Sequence, residues 1–212
     1  MDDAAFDSAL IAAAFQMMAE RGWRRLSVAD AARAAGLPLA RARERFPSRA
    51  AILLRFGRLA DQAALAETPT DGTTRDKLFY LLMRRIDALQ EHRAGVLALF
   101  RDLPGHPATV LLLALANRRS MRWMLGAAGV PTVGINGDLR VKGLLAVWLW
   151  TVRAWRTDDS TDLAGTMAAL DTALQRAERA AAWLGWRQGP PPEPQAETTA
   201  ATTEEPPHAT PA

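Results

Sequence analysis

The sequence predicts an all-α protein with a helix-turn-helix near its N-terminus. Three observations carry this. The 212 residues are rich in Ala, Leu and Arg, all good helix formers. Apolar residues recur at spacings of three and four along most of the chain. Alternation of Val, Ile and Thr at strand spacing is absent.

Each element follows in order. Phe6, Leu10, Ile11, Ala14, Met17 and Met18 fall on one helical face, so residues 4–21 read as an amphipathic helix. Asp2 and Asp3 suit its N-terminus and Gly22 its C-terminus. Ser27-Val28-Ala29-Asp30 has the spacing of a capping box and opens a short helix ending before Gly36. Pro38 belongs in the first turn of a third short helix, which runs to Arg45. Phe46-Pro47-Ser48 ends that helix, and Ser48 caps a fourth reaching about Glu67. Thr68-Pro69-Thr70-Asp71-Gly72 is a linker. Beyond it, Thr74–Gln90 places Leu78, Leu81, Leu82, Ile86 and Leu89 on one face. A helix over His92–Arg101 is broken by Leu103-Pro104-Gly105-His106-Pro107, and another spans Ala108–Leu125. Gly129–Gly137 reads as a loop, followed by long helices near Leu139–Arg156 and Asp162–Leu184. From Arg187 onward Pro, Thr, Glu and Ala replace core residues, which predicts a disordered tail. The expected organisation is a helix-turn-helix domain over 4–47, a connecting helix over 48–67, a helical ligand-binding and dimerisation domain over 74–186, and a tail over 187–212.

Composition removes several chemistries. There is no cysteine, which excludes disulfides, thiolate metal sites and cysteine nucleophiles. His92, His106 and His208 are far apart in sequence, so no histidine metal cluster is expected, and His92 and His106 read as surface or capping residues. No phosphate-binding loop, dinucleotide glycine pattern or zinc-protease helix motif occurs. Asp158, Asp159 and Asp162 precede a long helix and read as caps favouring its positive end. The expectation is a protein that is not an enzyme and needs no cofactor or metal. The acidic start without a basic, then apolar, leader and the lack of an apolar run long enough to span a bilayer predict a cytoplasmic protein without a transmembrane segment.

Charge is unevenly placed. The formal total is +3, but residues 1–60 carry ten Arg against six Asp or Glu. Such a bias suits a polyanionic partner. The segment from Trp23 to Leu39 explains where it acts. Two short helices meet at a Gly36-centred turn, and Ala31, Ala32 and Ala35 let them pack closely. That arrangement presents the following helix to a DNA major groove. The helix offers Arg41, Arg43 and Arg45, opens with Pro38 and Leu39, and is flanked by Ser27, Arg33 and Arg49. Arginine bonds guanine or phosphate in a bidentate way. The alternative is a small helical bundle with a solvated basic face.

Residues 5–66 resemble the N-terminal domain of TetR-family transcriptional regulators. The resemblance rests on Gly22, the Leu26-Ser27-Val28 entry, Ala35-Gly36-Leu37, and the run from Arg45-Phe46-Pro47-Ser48-Arg49 into Ala50-Ala51-Ile52-Leu53. It implies a three-helix DNA-binding domain joined through a fourth helix to an all-helical domain for ligand binding and dimerisation. It also implies double-stranded operator DNA as partner, and repression relieved by an apolar small molecule. Pro38 and Arg43 stand where the family often has a hydroxyl residue and a tyrosine. A second resemblance covers residues 96–180. Arg122–Gly129, Lys142–Val147 and Trp155–Asp162 are similar to the TetR-like lipid-binding accessory protein of coenzyme Q (ubiquinone) biosynthesis. That resemblance implies lipid binding without transcriptional control.

Two further expectations come from the apolar residues of the later helices. Trp148 and Trp155 are seven apart and share a face, whereas Trp150 points elsewhere. Trp123, Trp148, Thr151 and Trp155 are the candidate lining of a pocket for an apolar or lipid-like ligand; plain core and dimer interface is the competing reading. Leu144, Val147, Leu170 and Leu174 on the last two helices predict a homodimer through a four-helix bundle.

Overall fold

The computed structural model describes residues 1–185, and every regular element among them is helical. The tail expected over 187–212 lies outside the described residues, as do Trp186 and His208. Helix α1 spans Asp3–Arg21. Asp2 starts it by accepting the Ala5 N–H at 2.7 Å, and Gly22, at φ +78°, ends it. Helix α2 spans Val28–Ala34. The Ser27 hydroxyl caps it, accepting the Asp30 N–H at 3.0 Å and donating to the Asp30 carboxylate at 2.7 Å. Gly36 takes the left-handed conformation at φ +65°, which turns the chain into α3, Leu39–Arg45. Pro38 is not in the first turn of α3. It is extended and stands at the N-cap position, where it offers no side-chain cap. Helix α4, Arg49–Leu65, is capped by Ser48 as the sequence predicts.

Helix α5, Thr74–Glu91, opens with a full capping box between Thr73 and Asp76. It is followed by α6 (Arg93–Asp102), α7 (Pro107–Ala127), α8 (Gly134–Thr157) and α9 (Ala164–Trp183). One apolar core runs through the molecule from Phe6 to Leu174. The first three helices are fastened to α6 as well as to α4. Gly95 of α6 lies so close to α1 that an added Cβ would sit 2.3 Å from the Phe15 carbonyl oxygen. The Trp23 N–H donates to the Asp102 carboxylate at the end of α6, at 2.8 Å.

Four expectations change. Helix α8 begins at Gly134 rather than Leu139. The two glycines there serve different ends: Gly134 opens the helix at φ +73°, and a Cβ on Gly137 would fall 2.2 Å from the Thr132 carbonyl carbon. Leu144, Val147, Leu170 and Leu174 are all buried within the chain, because α8 and α9 pack on each other along that face. The exposed large apolar residues of these helices are Ile135, Leu139, Leu149, Trp150 and Trp183 instead. His92 does stand at the cap position between α5 and α6, but it is not a surface residue: it is half-buried, its ring stacked on Phe15 at 5.1 Å and edge-on to Phe56 at 5.6 Å.

The turn into α9 is built by Asp158. Its carboxylate accepts from the N–H and hydroxyl of both Ser160 and Thr166. Those bonds, the Ser160 and Thr166 hydroxyls foremost, hold its pKa far below the usual carboxylate range. Asp162 accepts the Ala164 N–H, and Asp159 pairs with Arg93. Asp158 and Asp162 therefore cap the helix as expected, whereas Asp159 is an ion-pair partner and not a cap.

Candidate nucleic-acid interface

The inner side of α3 explains its position. Ala42 and Phe46 are 1% exposed, and they meet the fully buried Ala31 and Ala32 of α2. A set of ion pairs then fixes α3 on α1. Asp7 is 1% exposed, and it accepts from Arg45 Nε at 2.7 Å, Arg45 Nη2 at 2.8 Å and Arg55 Nε at 2.6 Å. Burial acts to raise the Asp7 pKa, but the hydrogen bonds and charges of Arg45 and Arg55 outweigh it and hold the carboxyl below its ordinary value. The Asp7 hydrogen bond in turn raises the Arg45 pKa above the arginine norm. Asp3 pairs with Arg41 and Arg45, and the Arg41 guanidinium lies 4.5 Å from the centre of the Phe6 ring.

The eight residues singled out for DNA contact divide accordingly. Arg41 and Arg45 are clamped to α1. Arg49 donates to the carbonyls of Trp23 and Arg24, both at 3.1 Å, and stacks over the Trp23 ring. Ser27 is engaged as the α2 cap. These four hold the motif together. Pro38, Leu39 and Arg43 form its outward edge, all exposed, with Arg43 making one bond to the Pro47 carbonyl. Arg33 is also outward, in an exposed pair with Asp30. Arg24 and Arg25 add to this surface: both are exposed and without a side-chain partner among the described residues. Helices α2 and α3, joined by a glycine turn, thus present α3 with one face locked and the other open, a geometry that suits entry into a major groove.

No family model and no curated protein matches the chain. Solved structures do. A TetR transcriptional regulator from Nitrosomonas europaea superposes with a TM-score of 0.65 at 19% identity, covering 82% of this chain and 99% of that one. A TetR-family regulator from Streptomyces coelicolor gives 0.58 at 18% identity, over 86% of this chain and 85% of its own. A TetR regulator from Rhodococcus sp. RHA1 gives 0.56 at 16% identity, over 84% and 97%. The chain has the TetR-regulator fold.

On this TetR fold, α2 and α3 are the helix-turn-helix, and α5–α9 form the helical bundle beyond it. The four residues expected to line one pocket are not brought together. Trp148 is 4% exposed and covered by the Arg85 guanidinium at 4.5 Å. Thr151 is fully buried and donates to the Val147 carbonyl of its own helix. The Trp155 indole N–H donates to Gln90 Oε1 at 2.8 Å, and Arg93 lies over its ring. These three fill the core. Trp123 is 60% exposed on the outer side of α7, bordering an open groove. Helical spacing alone does not tell a stripe packed on a neighbour from a stripe facing water, which is why the four were grouped.

Sequence reasoning also missed a buried polar set. Arg85, 5% exposed, pairs with Asp61 at 3.0 Å and donates to the Ser120 hydroxyl, which itself donates to Asp61. Burial lowers the Arg85 pKa and raises that of Asp61, and their mutual attraction opposes both shifts. The signal was present. Arg85 falls on the Leu78-Leu81-Leu82-Ile86-Leu89 stripe, just as Asp7 falls beside Phe6, Leu10 and Ile11. A charge on a buried stripe requires a partner. Among the described residues no helix is long and apolar enough to cross a membrane, and no three His, Cys, Asp or Glu side chains are grouped to hold a metal ion.

Proposed function

We propose that this TetR-fold chain is a homodimeric DNA-binding transcriptional regulator, acting in the cytoplasm as a repressor released by an apolar ligand. The observation that carries the reading is the open outer face of α3, with Arg43 projecting from it while Arg41 and Arg45 brace the opposite side. In this account Arg43 reads base edges, Pro38 and Leu39 approach the groove, and Arg24, Arg25 and Arg33 hold phosphates. The exposed Leu149, Trp150 and Trp183 support pairing through α8 and α9. Two recognition helices would then address half-sites about 34 Å apart or a multiple of that.

Ligand control acts through α4. Its Phe56 packs on Phe15 of α1 with ring centres 4.6 Å apart, and its Asp61 bonds to α5 and α7. A ligand that prefers one tilt of α4 changes the half-site spacing, and DNA then weakens ligand binding by the same factor.

Genome-wide mapping of the tagged protein tests the reading. Reproducible palindromic sites, lost in Arg43→Ala, are expected; their absence would reject it. One observation favours the second resemblance, a lipid-binding accessory protein: the outer face of α3 carries a single arginine and no side-chain cap. The comparisons lend that reading no support, and it predicts that Arg43→Ala leaves function intact.

A further inference from the structure

One face of α7 points away from the core yet is not an ordinary solvated helix face. Leu115, Arg118, Arg119, Arg122, Trp123 and Gly126 fall at i, i+3, i+4, i+7, i+8 and i+11, so they form a single stripe. Leu115 is 56% exposed and Trp123 60%. The stripe lines an open groove of about 750 Å³, together with Leu65 at the end of α4 and Thr132 in the loop before α8. That volume lies within the range of small-molecule sites.

The charges in the groove do not balance. Three guanidiniums face one carboxylate, Asp138, which takes Arg118 and Arg122 through the same oxygen, each at 3.0 Å. Arg118 Nε is buried without a hydrogen-bond partner, and Arg119 has no side-chain partner among the described residues. Excess positive charge therefore sits beside two large exposed apolar side chains. A second copy on this face would set one arginine stripe against another, which repels. A bilayer is flat, whereas this surface is a groove.

We propose that the groove binds a small anionic amphiphile. A carboxylate head is held by Arg119 and Arg122, and an apolar body lies along Trp123 and Leu115. Charge-assisted bonds to the head supply orientation, and the buried chain supplies affinity. The site lies outside the bundle, apart from the core residues Trp148, Thr151 and Trp155. The proposal rests on the ligand-controlled reading only for its effect on DNA, because binding itself needs no DNA.

The experiment is calorimetric titration of the full chain with laurate below its micellar concentration, without DNA. One saturable site per chain is expected. Dodecanol should bind at least about tenfold more weakly, and Arg119→Ala should weaken laurate by about tenfold, the loss of one charge-assisted bond. Gly126→Phe is the steric test. Nothing lies within 4 Å of a Cβ built there and Gly126 lines the groove, so the ring should occupy the groove and abolish binding. Circular dichroism checks that both variants remain folded. Absence of laurate binding, equal affinity for dodecanol, or laurate binding unchanged by Arg119→Ala and Gly126→Phe would each overturn the proposal. So would association seen only with phosphatidylglycerol vesicles, or a dimer that Arg119→Ala converts to monomer in light scattering. Operator binding by the same preparation separates this failure from failure of the DNA reading.

Discussion

Four arginines around α3 and three on α7 are put to opposite use. Around α3, Arg41, Arg45, Arg49 and Arg55 are turned inward onto Asp3, Asp7 and backbone carbonyls. On α7, Arg118 and Arg122 share a single carboxylate, Arg119 has none among the described residues, and all three line open space. Charge density along the sequence marks both regions equally. Availability depends on the partners each guanidinium already has. A charged group satisfied by a buried carboxylate is structural, and one left beside exposed apolar surface is available to a ligand.

The contrast is tested most strongly at the carboxylates. Asp7→Ala leaves Arg45 and Arg55 facing an apolar hole. Removing one side of a buried pair costs several kcal/mol. Because both arginines retain access to water, a loss of about 3 kcal/mol is expected, at the low end of the range for buried pairs. Denaturant unfolding measures it. Asp138→Ala, on α8 at the exposed pairs with Arg118 and Arg122 of α7, should leave unfolding unchanged. Equal effects at the two sites would erase the distinction drawn here.

A second test addresses how rigidly the first three helices are held. Gly95→Ala would force α1 and α6 apart, since the new Cβ meets backbone and not a side-chain end. A destabilisation of about 2 kcal/mol is expected. A neutral result would mean that α1 rides loosely on α6.

The smallest effect concerns pH. Burial lowers the His92 pKa from its ordinary value of 6.5, with Glu91 opposing it only in part. The unfolded chain therefore takes up the proton first on acidification. The stability contributed by the neutral stacked ring is complete above pH 6.5 and falls as pH drops through the lower folded value. Melting temperature followed from pH 7.5 to 5.5 should decline in the parent chain and decline less in His92→Phe. Parallel curves would remove His92 from the account.

Much of the fold was legible because its signals are local. Ser27, Gly36 and Ser48 act where capping and turn chemistry place them, and the stripe from Phe6 to Met18 is the buried face of α1. Misreadings occurred where the answer depends on a distant partner. Gly137 reads as a loop residue because its close packing on Thr132 is invisible in one dimension. Leu144 and Leu170 read as a dimer face, although they pack on one another's helices within the chain. In the candidate interface, arginine was the right residue type. Its spacing could not tell that Arg45 returns to Asp7, 38 residues earlier, while Arg43 does not.

DNA affinity and melting temperature measured side by side on Arg43→Ala and Arg45→Ala test the central claim most directly. Fluorescence anisotropy with a mapped operator supplies the affinity. Arg43→Ala should lose sequence-specific binding at an unchanged melting temperature, because its side chain holds only the exposed Pro47 carbonyl. Arg45→Ala should lower the melting temperature by releasing Asp7. An Arg43→Ala protein that binds the operator as tightly as the parent would contradict the assignment of the α3 outer face to DNA.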